Sequence, residues 1–431
     1  MTMLDHLPSL RRAATPRIDP AIWPSTARVD ELGRLCIGDV ALTDIADEFR
    51  TPAYVLDETH FRHRIRDRRA ALPGVEMVYA AESLLTTDVA RWVAEEGVGI
   101  GVGSSGELAV ALAAGVDPAR IVLHGSAASV DELRSATAVG VGRIVIDSLM
   151  EVAYLACEAR RRQRVLIRVT PDIGLHHWVA ESAERILSQP LLELVGLCCH
   201  IGSQIADPAG YGEAIHRMVA AMADIRAAHG IILTELDIGG EHAVPPPAYA
   251  LEPDLGELAA VIDDALDQAC AAERFPRPRV VVDQGCSISA RPGAALYRVV
   301  SVRSQSRGRT FVGVDGGMSD NPQIALCGTK YPVVLANRHE LGPMRLVTVT
   351  GRHPDDELAR DVELPADVRP GDLLAVACTG AYQHSMASNY SMTCRPPVIA
   401  VRHGRIRELI RRETTADLLA RDLGWSGSTA V

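Results

Sequence analysis

Lysine is nearly missing from this chain. Of 44 Lys and Arg residues only Lys330 is a lysine, so chemistry that needs a side-chain amine has one residue to draw on. Aromatic residues make up 4%, too few for the stacked platform on which single-stranded nucleic acid is held. Positive charge is also short: 44 basic against 55 acidic residues leave a net charge of −11. That balance favours solubility and opposes a nucleic-acid backbone or an anionic membrane as partner. No apolar run approaches the roughly 20 residues of a membrane helix, and Met1–Arg12 lacks the apolar segment of a signal peptide, so a cytoplasmic location is expected. The nine cysteines show no CxxC spacing. Several, such as Cys198, Cys199 and Cys378, lie inside apolar runs, the pattern of buried thiols in a reducing compartment. What is present, 47% hydrophobic and 23% charged residues over 431 positions, is the composition of a globular chain of two or three domains.

From Glu76 to Gly285 short β-branched runs alternate with longer segments rich in Ala, Leu and Glu. Eight strands are predicted: Met77–Ala80, Gly99–Gly103, Ile121–His124, Arg143–Asp147, Val165–Thr170, Val195–Ile201, Leu236–Ile238 and Val280–Asp283. Segments such as Ser105–Ala114, Val130–Val139 and Tyr211–Ala228 carry helical i, i+3, i+4 apolar spacing between them. Strands separated by one helix are the requirement for parallel pairing, and eight such units argue for an α/β (β/α)8 TIM barrel. After Pro292 the texture turns to strands with little helix, Leu296–Ser304, Thr310–Asp315, Met344–Thr350, Asp372–Cys378 and Val398–His403, divided by turns such as Pro370-Gly371-Asp372. The expected layout is an arm with strands joining the β-domain over 1–50, the barrel over 51–291 and a C-terminal all-β, barrel-like domain over 292–431. Ala53–Leu56 offers a further strand to the latter.

Chemistry in such a barrel lies at the C-terminal ends of the strands. In order these carry Glu82, Gly103-Ser104, His124, Asp147-Ser148, Arg168, His200 to Gln204, Gly239 to His242 and Asp283 to Ser287. An arginine, histidines, carboxylates and two glycine-containing turns make a polar pocket for a small anionic or zwitterionic ligand.

Six of these motifs, in register, carry a family likeness. Tyr79-Ala80-Ala81-Glu82, Ser104-Ser105-Gly106-Glu107-Leu108, His200-Ile201-Gly202-Ser203-Gln204, Leu236-Asp237-Ile238-Gly239-Gly240, Asp315-Gly316-Gly317-Met318 and Gly380-Ala381-Tyr382 resemble the fold type III pyridoxal-phosphate (PLP) decarboxylases. The stretch from Gly380 to Tyr390 is nearest to their diaminopimelate branch, with ornithine and arginine decarboxylases as cousins. The resemblance spans Thr51 to Leu419. It implies a barrel with a β-domain, working as a homodimer with active sites at the interface.

The same resemblance exposes departures. The family's cofactor-binding lysine, which forms the Schiff base, corresponds to Glu82, and a carboxylate cannot form an imine. The family's acid after the second strand is Gly101. Glu241 stands where the phosphate loop usually has a third glycine; facing a phosphate at about 4 Å it would cost on the order of 4 kcal/mol, whereas turned outward it would leave the backbone N–H groups free. Glu-Pro-Gly-Arg has become Asp283-Gln284-Gly285-Cys286, which keeps an acid for the pyridine nitrogen but loses the arginine. The family's Cys-Glu-Ser segment has no counterpart in Gly351–Glu357, and its substrate-binding Arg and Tyr correspond to Gln323 and Cys327. Arg168, His200, Ser203, Gly239, Gly240, Gly285, an acid at Asp283 and Tyr382 remain.

Glu82 reads either as a new general acid/base or as a residue that drifted after the lysine lost its purpose, tied up by Arg168. His200 reads as an acid/base, a ring-stacking residue or an inherited packing histidine. His176, His177 and His242 lie in no metal-ligand spacing, so no metal is expected there. Asp355-Asp356-Glu357 is expected as an exposed acidic loop, with gripping a cationic substrate as the alternative. Glu82, His200 and Asp283 are thus the candidate catalytic residues. Arg168, Ser203, Gly239, Gly240, Glu241, Gly285, Tyr382, Asp355 and Asp356 are the candidate pocket. Three readings stand. The chain is a repurposed enzyme acting on an amino acid or an amino-acid-derived metabolite without a Schiff base, a decarboxylase holding PLP non-covalently, or a non-catalytic paralogue that binds a ligand or pairs with an active relative.

Overall fold

The computed structural model describes residues 18–169, 175–199, 208–240, 254–304, 308–328, 330–340, 343–353 and 356–425. Among them two compact units form: one from residues 62 to 287, the other from the residues before 62 with those from 288 onward. Near the start, β1 (Arg28–Val29), β2 (Leu35–Ile37) and β3 (Val40–Ala41) form a small antiparallel sheet, and β4 (Ala53–Asp57) joins a larger sheet formed much later in the chain.

The unit of residues 62 to 287 is a closed barrel of eight parallel strands: β5 (Glu76–Ala80), β6 (Gly99–Val102), β7 (Ile121–Leu123), β8 (Arg143–Ile146), β9 (Gln163–Val169), β10 (Leu192–Cys199), β11 (Glu235–Asp237) and β12 (Arg279–Gln284). Pairing of Gln284 with Tyr79 closes the ring. All eight predicted strands are present, and the predicted helices appear as Ser105–Ala113, Val130–Val139 and Ala209–His229. The largest boundary difference is at β10, which begins at Leu192 rather than Val195. An irregularity between Leu194 and Gly196 breaks the alternation there and hides the strand's start from a period-2 reading.

Val78, Val122, Val145, Leu166, Val195, Cys198 and Val281 pack together as one buried cluster inside the barrel, the filled interior that this architecture requires. The N-terminal rim is tied by charge. Buried Glu235 receives Arg143 Nη1 at 2.9 Å and Arg279 Nη2 at 2.8 Å, and Glu76 pairs with Arg143 and Arg279. This closes the end opposite the loops that follow the strands.

The other unit is β-rich. Its main sheet runs β17 (Glu357–Pro365), β16 (Met344–Thr350), β14 (Thr310–Val314), β13 (Gly293–Ser304), β4, β19 (Val398–Arg402), β20 (Arg405–Ile410), with β18 (Leu373–Ala377) pairing both β13 and β15 (Val333–Leu335). The five predicted strands are present, and β4 sits between β13 and β19, so both ends of the chain build this unit. After Pro292 three strands escaped prediction: β15, β17 and β20. The last two are edge strands with charged residues along them, as in Arg405-Ile406-Arg407-Glu408. Charge on an edge blocks further pairing but also erases the alternation by which strands are found. No helix of the described residues is long and apolar enough to cross a membrane.

Candidate functional site

The turns after β5, β6, β7 and β8 are built alike. Thr86, Ser104, Ser129 and Ser148 each cap the next helix, their hydroxyls accepting from the backbone N–H three residues on. Three of these turns read Ser-x-x-Glu, the signature of a capping box. Ser129 and Glu132 complete it, but the other two glutamates do different work. Glu107 Oε2 accepts from Gly103 N at 2.7 Å, and Glu151 accepts from Ala128 N at 2.9 Å and Asp147 N at 2.6 Å. Glu107 is thereby held at the barrel mouth.

Glu82 is placed there by its neighbours. It lies in a single helical turn, Ala81–Ser83, directly after β5. Ser83 Oγ donates to Ala80 O at 2.9 Å, and the buried Tyr79 hydroxyl donates to Leu84 O at 2.7 Å. With Ala81 and Ser83 buried on either side, the Glu82 side chain is the one left exposed.

The strand ends enclose a cavity of about 220 Å³ whose lining includes Glu82, Gly101, Glu107, His124, Arg168 and Asp283. Gly240 lines it too; its φ is +78°, and a Cβ there would fall 2.5 Å from the Tyr211 ring, so only glycine carries the chain past that ring. Arg168 Nη2 donates to His124 O at 3.1 Å, while its Nε lies 3.9 Å from Asp147 Oδ1 and makes no hydrogen bond. Asp283 Oδ1 also lacks a hydrogen bond and lies 3.8 Å from His124 Nε2. Asp237, 3% exposed, is 3.9 Å from the same nitrogen, and its Oδ1 accepts from Gly239 N at 2.8 Å.

Burial pushes the Asp283 carboxyl up to about 7; Arg168 and Arg143 oppose the rise and Glu82 adds to it. Burial and then the neighbouring Asp283 push Asp237 up to about 7, against His124 and the Gly239 amide. Glu107 is raised by burial and by Glu82, against its bond to Gly103. The mouth is a carboxylate-rich pocket with a guanidinium on one side, complementary to a ligand that carries an amine and an acid.

Of the residues singled out in the sequence, Glu82, Asp283, Arg168 and Gly240 line one cavity. Gly239 and Gly285 are buried in the same unit. Tyr382 and Asp356 belong to the β-rich unit. Tyr382 precedes the short helix Gln383–Met386. Asp356 corrects the expectation of an exposed acidic loop: it is buried, and its Oδ2 accepts from Met318 N at 2.8 Å, because that amide lies within the unit and must be satisfied. His200, Ser203, Glu241, Asp355 and His242 lie outside the described residues. His177 is exposed on a helix with Glu181 3.8 Å away.

Glu107, Asp237 and Cys198 were not selected from the sequence, and His124 only as a strand end. Glu107 lay within the predicted helix Ser105–Ala114, and Cys198 read as a buried thiol. The signal available was position alone: His124, Cys198 and Asp237 are at or next to the C-terminal end of a strand, and Glu107 is in the first turn of the helix after β6.

Residues 58–290 match the family model described as pyridoxal-dependent decarboxylase, pyridoxal binding domain. The chain is 44% identical to a diaminopimelate decarboxylase of Actinosynnema pretiosum subsp. auranticum, over 98% of this chain and 100% of that one. It is 39% identical to the diaminopimelate decarboxylase of Mycobacterium tuberculosis, over 93% and 97%. A crystal structure of diaminopimelate decarboxylase from Helicobacter pylori complexed with L-lysine superposes with a TM-score of 0.78 at 25% identity, covering 88% of this chain and 98% of that one.

Proposed function

We propose, from the premise that the chain belongs to the pyridoxal-dependent decarboxylase family, that it acts on a small amino acid or amino-acid-derived metabolite without attaching a cofactor to a lysine of its pocket. The observation that carries this is Glu82 at the cavity wall in a chain whose one lysine, Lys330, belongs to the other unit. Glu82 gives and takes a proton at its carboxylate oxygen, Glu107 and Asp283 hold the ligand's amine, and the Arg168 guanidinium orients its acid group.

A second reading rests on Asp283. The residues present fit pyridoxal phosphate held without a covalent bond. Asp283 Oδ1, which has no hydrogen-bond partner, would pair with a ring nitrogen, and the Gly239-Gly240 turn and Arg168 would suit its anionic groups. They do not fit covalent attachment, because Glu82 has no amine to offer. When bound, the cofactor supplies an aldehyde for the ligand's amine and a ring that takes up electrons. The chain's residues hold that ring and shield it from water.

A homodimer is part of the proposal. Val300 and Leu346, large apolar residues of the β-rich unit, are more than half exposed and suit a partner surface.

The test is an absorbance spectrum of the purified chain mixed with pyridoxal phosphate and dialysed, together with carbon dioxide release from diaminopimelate and L-lysine with and without the cofactor. Turnover without cofactor absorbance supports the first reading. Absorbance that survives dialysis removes it in favour of the second. Neither binding nor turnover with any amino acid leaves a non-catalytic paralogue or partner subunit.

A further inference from the structure

Opposite parts of the barrel wall bring together, in the barrel interior, side chains whose chemistry the proposed function does not use. His124 follows β7, Cys198 lies in β10 and Asp237 ends β11, and one ligand atom from each falls within 4.8 Å of the others. His124 Nε2 is 3.9 Å from Asp237 Oδ2 and 3.8 Å from Asp283 Oδ1. These separations are too long for direct hydrogen bonds. They are wide enough for a shared partner between the groups.

The donor set identifies that partner. Nitrogen, sulfur and carboxylate oxygen together suit a borderline metal such as zinc. A bridging water would use the imidazole and the carboxylates but gains little from a thiol. With bonds of about 2.0 to 2.3 Å, tetrahedral ligand atoms stand about 3.3 to 3.8 Å apart, so the three groups close on an ion by shifts of about 1 Å or less. Two local features prepare the site. Residue 101 is glycine, and a Cβ there would come within 3.2 Å of His124 Cδ2 and 3.7 Å of Nε2, so the glycine makes room for the ring. The bond from Gly239 N to Asp237 Oδ1, at 2.8 Å, fixes that carboxylate with its other oxygen towards His124, the outer hydrogen bond that orients metal ligands.

We propose that His124, Cys198 and Asp237 form a binding site for a zinc-type divalent cation, with its remaining coordination position facing the cavity. His124 lines that cavity, so the open position is reached from it. The ligand class it takes is an oxygen donor, the carboxylate of a small acid. The site does not depend on how Glu82 is read.

The experiment uses the purified full chain, stripped with a chelator and titrated with cobalt(II) under absorbance and metal analysis. One equivalent per chain is expected, with a thiolate-to-cobalt charge-transfer band that Cys198→Ser abolishes and that Cys157→Ser, on an exposed thiol, leaves in place. Asp237→Asn is expected to weaken cobalt binding at least about tenfold. A natively folded chain, checked by circular dichroism, that takes up no cobalt overturns the site. So does a band that persists in Cys198→Ser. Should that variant not fold, unchanged affinity in Asp237→Asn overturns it equally.

Discussion

Gly101 and His124 face each other across neighbouring barrel strands so closely that a single added carbon on residue 101 would lie 3.2 Å from the imidazole Cδ2. The other side is closed by Val78 Cγ1, also 3.2 Å from that position. Gly101→Ala therefore has to displace either the histidine or a core valine. Overpacking of this kind costs about 1–3 kcal/mol, to be read by urea denaturation. If the ring gives way rather than the core, stability falls little and cobalt or ligand affinity falls instead, so measuring both locates the strain.

Glu82→Lys places an amine where the strand end opens into the cavity. The variant, incubated with pyridoxal phosphate and reduced with borohydride, is expected to carry the cofactor on residue 82 by peptide mapping, and the parent chain to carry none at that position. Glu82→Gln removes the ionisable group with little change of shape, and a loss of turnover of about a hundredfold is expected for an acid/base. Unchanged turnover would assign Glu82 a passive place.

In the β-rich unit Asp372 receives Arg338 Nε at 2.9 Å and Nη2 at 2.8 Å, with the Arg369 amide at 3.0 Å and Asn337 at 3.2 Å. Burial alone raises the carboxyl, but these bonds outweigh it and hold it below its ordinary value. An acid with a lowered folded pKa contributes stability above its unfolded value of 3.8 and loses it as pH falls through the folded value. Arg338→Ala strands a nearly buried charge and is expected to cost about 3 kcal/mol at pH 7. The loss should shrink below pH 4, measured by denaturant titration at both pH values.

Asp320 has the opposite sign. Burial pushes it up to about 7, although the Tyr297 hydroxyl, the Gly317 amide and Ser319 oppose the rise. The folded state then binds a proton that the unfolded chain, at an ordinary 3.8, has released. This group therefore subtracts stability progressively from about pH 4 to about pH 7 and no further above that. Asp320→Asn is expected to lose that slope, on the order of 1 kcal/mol per pH unit. Parallel slopes in the variant and the parent over that range would refute the assignment.

Much of the barrel was legible because its signals are local. Short runs such as Val165–Thr170 alternate with helical spacing over crossovers of fixed length, and that pattern needs no tertiary information. β17 and β20 were hidden because edge strands carry charge where buried ones carry valine. At the site, Glu82, Arg168 and Asp283 were legible from their places at strand ends. Glu107 was not, because its sequence context is that of a helix cap and only the bond to Gly103 turns it to the mouth. Asp356 sits in an acidic run that reads as solvated, and its burial follows from the Met318 amide it must satisfy.

By itself the sequence determined the eightfold alternation, the strands after Pro292 and the single lysine, since periodicity and composition are properties of neighbouring residues. Only the tertiary structure decided that His124, Cys198 and Asp237 meet. They belong to different stretches of chain, and what brings them within 4.8 Å of one another is the parallel register and closure of the barrel. Those are set by packing over the whole ring rather than by any one segment.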